Sequence, residues 1–261
     1  MAFSSNREAL EEFCRSRGAV GFGICRLSDI RTDDFLLPER MIRDLPFAVS
    51  VAMHLSPAVL DTIEDHPNQL YEHHYRQVNF ALDRLGLDLA ILIQDLGAQA
   101  LPVAASQLVD WQNQRGHLSH KRVAVGAGLG WLGRNNLLVT PRFGAQVRLV
   151  TLLTDLGLEP DHPIENGCDS CRACVAVCPA KAIGESAAEF KHLDCFAMLK
   201  EFQSKRYVSQ YICGLCVKAC SGSDQSDRSA RVPELAPDRE EDRQGGSLLR
   251  QLAAEVTNTD D

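Results

Sequence analysis

Apolar and polar residues follow two rhythms along the first 160 positions. Over 68–96 the apolar residues return at helical spacing, which predicts one long amphipathic helix ended by Gly97. Near the start, Ser5-x2-Glu8 reads as a capping box ahead of Ala9, Leu10 and Phe13, with Gly18 closing that helix in a left-handed conformation. Short runs of β-forming residues predict strands over 19–25, 48–55 and 101–105. Two more, over 137–140 and 147–154, are separated by Pro141-Arg142-Phe143-Gly144 and predict a hairpin. The class is mixed helix and strand, α+β, with no internal repeat before residue 160.

Beyond that point the pattern changes. The stretch Leu158-Glu159-Pro160-Asp161-His162-Pro163 has the prolines of an extended connection, and eight of the ten cysteines follow it. Three units are expected: an α/β unit over 1–160, a cysteine-rich unit over 161–222, and a tail over 223–261 that is too polar to pack well, with one short helix over 247–256.

Composition narrows the setting. A hydrophobic fraction of 45% in 261 residues is enough for a real core. The longest apolar stretch, 85–96, is interrupted by Asp88, Gln94 and Asp95, and the first residues lack the apolar core of a secretory signal, so a cytoplasmic protein without membrane spans is expected. A formal net charge of -8 argues against a broad phosphate-binding surface while leaving room for a local basic patch.

The cysteines carry the sharpest chemistry. They read Cys168-x2-Cys171-x2-Cys174-x3-Cys178-Pro179, then Cys195, then Cys213-x2-Cys216-x3-Cys220. Cysteines three residues apart on a tight loop reach three corners of an iron-sulfur cube, and the fourth ligand comes from elsewhere in the fold. The first run matches the bacterial ferredoxin pattern, whose fourth cysteine ligates the other cluster. Two [4Fe-4S] clusters are therefore expected, one on Cys168, Cys171, Cys174 and Cys220, the other on Cys178, Cys195, Cys213 and Cys216. Pro179 is expected to open a short helix over 180–183. Zinc and disulfides are the alternatives. The regular three-residue steps fit zinc poorly, and disulfides need an oxidising compartment.

Gly128-Leu129-Gly130-Trp131-Leu132-Gly133 spells the dinucleotide motif, yet it leads into the strand-like Leu137-Leu138-Val139-Thr140 instead of a helix, so the order is helix, glycine turn, strand. The segment 127–138, the later Leu152-Leu153-Thr154-Asp155-Leu156 and the cysteine series together resemble epoxyqueuosine reductase and the wider group it forms with reductive dehalogenases. The resemblance implies a nitroreductase-like α/β domain that holds cobalamin, fed with electrons by a ferredoxin-like two-cluster module. It gives Gly128, Gly130, Trp131, Gly133 and Arg134 as candidate cofactor contacts, although Trp131 also reads as core and Arg134 as a surface residue. Flavin is a second choice of cofactor. A low-potential ferredoxin or flavodoxin is the implied electron donor.

Where tRNA-acting members of that family carry Asp-Ser-Ala-Pro, this chain reads Gln114-Arg115-Gly116-His117, so the family's proton donor is missing. Family members often run on into a helical-repeat region, whereas this chain ends at residue 261; with the acidic charge, this favours a small-molecule substrate over nucleic acid. Candidate replacements for the proton donor are His117, His120 and Asp110, histidine being the side chain poised near neutral pH. The plainer reading is that Ser119 caps a helix starting at His120, with His117 on a loop and Lys121 in solvent. Three functions compete: a terminal reductase, a ferredoxin-type electron carrier serving a partner enzyme, and a corrinoid or flavin reductase.

Overall fold

Four strands form one antiparallel sheet in the order β1 (Gly21–Arg26), β2 (Phe47–His54), β6 (Val147–Thr154), β3 (Ala100–Val103). The computed structural model describes residues 2–222, so the tail over 223–261, with its expected helix over 247–256, lies outside the described residues. The central strand β2 is buried along nearly its whole length because both faces of the sheet are covered. Alternation sorts its side chains. Val49, Val51 and Met53 meet α1 (Ala2–Arg15) and α4 (Gln69–Asp95) on one face. Ala48 and Ala52 point to the other face, where α5 (His120–Gly126) and the glycine turn after it lie. Two short helices, α2 (Glu39–Asp44) and α3 (Pro57–Asp61), flank β2 in the chain.

The long helix α4 begins where the Asn68 side chain accepts a hydrogen bond from the Tyr71 N–H at 2.8 Å, and the chain leaves it at Gly97 with φ +84°. The first helix departs from expectation: Ser5 lies inside α1, so the capping box does not mark its start. Gly18, at φ +89°, does close it.

The hairpin over 137–154 does not form. The segment 140–144 closes on itself through paired backbone bonds between Thr140 and Gly144. β5 (Leu138–Val139) then pairs with β4 (Trp131–Leu132), while β6 crosses to the main sheet and sits between β2 and β3. The reason is burial: β6 is apolar enough on both faces to take a central place, which a two-stranded ribbon could not bury.

Gly23 on β1 is where the glycine turn touches the sheet. A Cβ there would lie 2.2 Å from the Ala127 carbonyl oxygen and 2.4 Å from the Leu129 side chain. Gly23→Ala is expected to cost on the order of 1–3 kcal/mol, read as a lower denaturation midpoint, because backbone cannot move aside as a flexible side chain would. An unchanged midpoint would show that the turn yields.

The segment 157–167 holds neither helix nor strand, and Asp161 ties it to β1: its N–H donates to the Ile24 carbonyl at 2.8 Å, its carboxylate accepts from the Ile24 N–H at 2.8 Å, and Arg7 bonds the same oxygen at 2.9 Å. The cysteine-rich part holds α6 (Ala173–Ala176), α7 (His192–Ser204) and α8 (Leu215–Lys218). No helix follows Pro179. That proline sits in a turn closed by Lys181 N–H to the Cys178 carbonyl at 3.1 Å, with Lys181 at φ +50°. Proline's fixed φ serves the second position of such a turn as well as a helix start. Leu55, Leu60, Ile63 and Tyr71 pack with Phe202, Val208, Ile212 and Leu215. Beside them the buried Glu72 carboxylate accepts from the Ser209 N–H at 2.9 Å and from its hydroxyl.

Candidate functional site

All ten cysteines are free thiols, so no disulfide competes for them. Among the described residues no three His, Cys, Asp or Glu side chains converge on a point that would hold a single metal ion.

The thiols influence one another in two sets. Burial, then the neighbouring Cys168 and Cys171, push the Cys174 thiol up; burial, then Cys174 and Cys168, do the same for Cys220, against the pull of the Ala145 and Gly222 N–H groups. In the other set burial and Cys178 raise Cys195, and burial carries Cys213 up to about 11 with Cys195 and Cys178 adding to it. Cys216 is pushed well up by burial, then by Cys213, Cys195, Cys178 and lastly Cys174, which makes it the thiol between the two sets. Thiols this reluctant to ionise give up their protons to a cation, so loading either set releases protons. Cys14 and Cys25 are separate: burial first, then nearby charged groups (Arg17 and Glu11 for Cys14, Asp29 for Cys25), takes each to about 12, with no other cysteine acting on them.

The glycine-tryptophan segment packs on the first set. The Trp131 indole N–H donates to Cys168 Sγ at 3.2 Å, and its ring lies over Gly167, where a Cβ would come within 2.9 Å. Arg134 donates to the carbonyl oxygens of Cys171 (3.1 Å), Asp169 and Glu185, clamping that loop from three sides. Gly128, at φ +70°, presses on the His162 carbonyl, and Gly130 on the Val139 carbonyl. Gly144 meets Cys220 equally closely: a Cβ would lie 2.2 Å from the Cys220 carbonyl oxygen. None of Gly128, Gly130, Trp131, Gly133 and Arg134 lines the large cavity described next.

The second set opens into space. Cys178, Cys195, Cys213 and Cys216 line a mostly apolar cavity of about 270 Å³. Beside it lies a larger cavity of about 630 Å³ between the sheet, α5 and the loop over 106–116. Gln114, Lys121, Asn136, Leu137 and His192 belong to the walls of both. The larger cavity combines apolar walls (Leu118, Leu138, Leu149) with amides and with the cations Arg115, Lys121 and Arg148, the makeup of a site for a sizeable polar ligand.

The three candidate proton donors fall differently. Asp110 lies outside both cavities. Its carboxylate accepts from the Asn113 side chain at 2.8 Å and the Asn113 N–H at 3.0 Å, which lowers its pKa and keeps it anionic. His117 is also outside both walls; its carbonyl accepts from the Leu36 N–H. His120 lines the larger cavity, but both ring nitrogens are engaged, Nδ1 with Thr151 Oγ1 at 2.8 Å and Nε2 with the Ala104 carbonyl at 3.0 Å. A carbonyl only accepts, so Nε2 carries the proton and Nδ1 accepts from the threonine hydroxyl. Desolvation takes this histidine to about 4, and it is neutral at pH 7.

The sign for stability follows. Between the ordinary histidine value near 6.5 and about 4, the unfolded chain binds a proton that the folded chain refuses, so stability falls as pH falls through that window. His120→Gln is expected to remove on the order of 2 kcal/mol of the difference between pH 7 and pH 4, measured by denaturant midpoints. An equal loss in both proteins would contradict it.

Ser119 caps α5 as expected, its hydroxyl accepting from the Arg122 N–H at 3.4 Å, but Lys121 is not in solvent. Its Nζ donates to the Asn136 carbonyl at 2.7 Å inside the wall shared by the two cavities, and desolvation lowers it to about 8. Nothing local in His117-Leu118-Ser119-His120-Lys121 separates this lysine from an exposed one. Its burial comes from 136–137 and α7 closing over it.

No protein-family model matches the chain. It is similar to the epoxyqueuosine reductase of Bacillus anthracis, 33% identical over 133 residues, which covers 48% of this chain and 34% of that protein. The epoxyqueuosine reductase of Lactococcus garvieae is 27% identical over 217 residues, 79% of this chain and 60% of the relative. The tetrachloroethene reductive dehalogenase of Sulfurospirillum multivorans is 34% identical over 110 residues, 37% and 22% of the two chains. Thus the chain spans about a third of the first relative's length. Among solved structures, a catabolic reductive dehalogenase in complex with 3-bromo-4-hydroxybenzoic acid superposes with a TM-score of 0.64 at 19% identity, covering 82% of this chain and 31% of that one. An epoxyqueuosine reductase with an epoxyqueuosine-modified tRNA stem loop gives 0.56 at 22%, covering 84% and 65%. The chain resembles both groups of reductases and shares their mixed helix-and-sheet fold. The second structure contains a tRNA stem loop, and the comparisons lend no support to the expectation against nucleic acid. What matters is where Lys and Arg are placed. No helix among the described residues is long and apolar enough to cross a membrane.

Proposed function

We propose that the chain is an iron-sulfur reductase of the cobalamin type, its two thiol sets each holding a [4Fe-4S] cluster and its larger cavity holding the corrinoid. The observation that carries this reading is the shared wall: the cavity lined by Cys178, Cys195, Cys213 and Cys216 and the larger cavity have Lys121, Asn136 and His192 in common. The donor sets fit, four thiols each with N–H groups of the surrounding backbone aimed at sulfur, as at Cys220 and at Cys178, whose Sγ lies 3.4 Å from the Ala182 N–H. The larger cavity would offer a corrinoid apolar walls and the cations Arg115, Lys121 and Arg148, and His120, whose two ring nitrogens are already hydrogen-bonded, would take no part in ligating it. When bound, the clusters would supply single electrons and the corrinoid a metal centre that accepts them.

The chain's own residues do the rest. Cys171 is exposed, so a cluster on the first set would be the one within reach of a low-potential ferredoxin or flavodoxin, and one on the second set would stand nearer the larger cavity. Arg134 and Trp131 hold the first loop in place. Lys121, not the histidines before it, presents a proton to the larger cavity. Leu118, Leu138 and Leu149 limit water there.

Anaerobic purification followed by iron, sulfide and corrin determination tests the proposal. About eight irons per chain and corrinoid uptake are expected. Stoichiometric zinc without iron would overturn the iron-sulfur reading, and eight irons with no corrinoid taken up would leave an electron carrier in its place. Supplying the loaded protein with a small oxidised acceptor and with a modified tRNA stem loop then decides the substrate, the small acceptor being the one expected to be reduced.

A further inference from the structure

Asn135 follows the Arg134 clamp directly and is 3% exposed. Its Oδ1 faces the Leu137 N–H at 3.3 Å and the backbone of Gly133, where a Cβ would approach it to 2.8 Å. That pairing fixes which way the amide points and leaves Nδ2 buried with no hydrogen-bond partner. A buried amide donor ordinarily has a partner. The residue belongs to the wall of the cavity lined by Cys178, Cys195, Cys213 and Cys216, and it is not part of the wall of the larger cavity. The acceptors on offer in that cavity include the sulfur atoms of four thiols and of whatever they hold, beside the Gln114 and Asn136 amides and the His192 ring.

We propose that Asn135 Nδ2 donates an N–H···S hydrogen bond to the iron-sulfur group of the second thiol set and raises its reduction potential. The inference rests on the cluster reading above. Reduction adds negative charge to the sulfurs, so a donor aimed at them stabilises the reduced state more than the oxidised one. Asn135 acts on the electron relay and leaves substrate alone. The effect is confined to the second set because the first has its own donor, the Trp131 indole on Cys168.

Redox titration of the iron-loaded full chain, followed by electron paramagnetic resonance, tests this. Asn135→Leu is expected to make reduction of the second cluster about tenfold less favourable, a fall of about 59 mV for one electron, with the first cluster unmoved. Asn135→Asp, which replaces the donor with an acceptor, is expected to shift it the same way and further. Should the leucine variant lose iron, wild-type protein carrying side-chain ¹⁵N-asparagine provides the second readout: a nitrogen hyperfine coupling in the reduced second cluster is expected. Unmoved potentials in iron-replete variants, or no such coupling, would overturn the inference. Wild-type protein that binds no iron would instead overturn the cluster reading on which it rests.

Discussion

Cys216→Ala is expected to cut the iron content by about half and to end electron delivery to the larger cavity, while Cys25→Ala leaves both unchanged. The contrast comes from surroundings, since desolvation holds both thiols protonated. Cys216 has three other thiols of its own set acting on it, and Cys174 of the first set besides; Cys25 has an aspartate, Asp29, and no thiol. Removing one corner of a four-thiolate site leaves three ligands, so under the proposed assignment the cluster between the first set and the cavity would be the one lost. Trapped electrons should then remain on the first cluster, visible by electron paramagnetic resonance as a reduced signal that no longer decays when an acceptor is added. Retention of full iron by Cys216→Ala, or iron loss in Cys25→Ala, would remove the assignment of this set.

Much of the scaffold around that relay can be read from residue pattern, and the exceptions have identifiable causes. The long helix α4 is marked at both ends by local chemistry, an asparagine cap and a left-handed glycine, so neighbours in sequence are enough to place it. The strand β6 is also placed well by its run of β formers, but its partner is not: turn residues at 141–144 say only that the chain reverses, and the choice between β5 and the main sheet depends on how much apolar surface each can cover. The same limit applies to the site. Cysteine spacing expresses which thiols share a loop. It does not express that Trp131 would bond Cys168, that Arg134 would clamp three carbonyls of the first loop and its surroundings, or that Asn135 would sit in the wall of the second set. The Trp131 and Arg134 bonds reach across 35–51 positions of chain, and Asn135 meets most of the second set from farther still, so a one-dimensional pattern carries no signal for them.

Lys121 is the most consequential of these long-range surprises, and Lys121→Met is expected to slow reduction in the larger cavity by about a hundredfold or more, the usual contribution of a positioned general acid. Its ammonium donates to the Asn136 carbonyl, faces Arg122 on its own helix and the His192 ring from α7, and stands across the shared wall from the second thiol set. Burial first, then Arg122, lowers it to about 8, with Arg122 partly answered by its pairing to Asp34. Lowering favours release of the proton near neutral pH, which is what a donor needs. The negative charge of a loaded second set works the other way and holds the proton to higher pH. The wild-type rate should therefore fall as pH rises through a value at or above about 8, as the ammonium is lost. Lys121→Arg should abolish that descending limb, because a guanidinium keeps its charge throughout the range, and should still react slowly because it does not yield its proton. Single-turnover reduction measured from pH 6 to pH 10 separates the roles. A lysine that only braces Asn136 would, when replaced by methionine, change stability and leave the pH limb in place. A lysine that delivers the proton takes the limb with it.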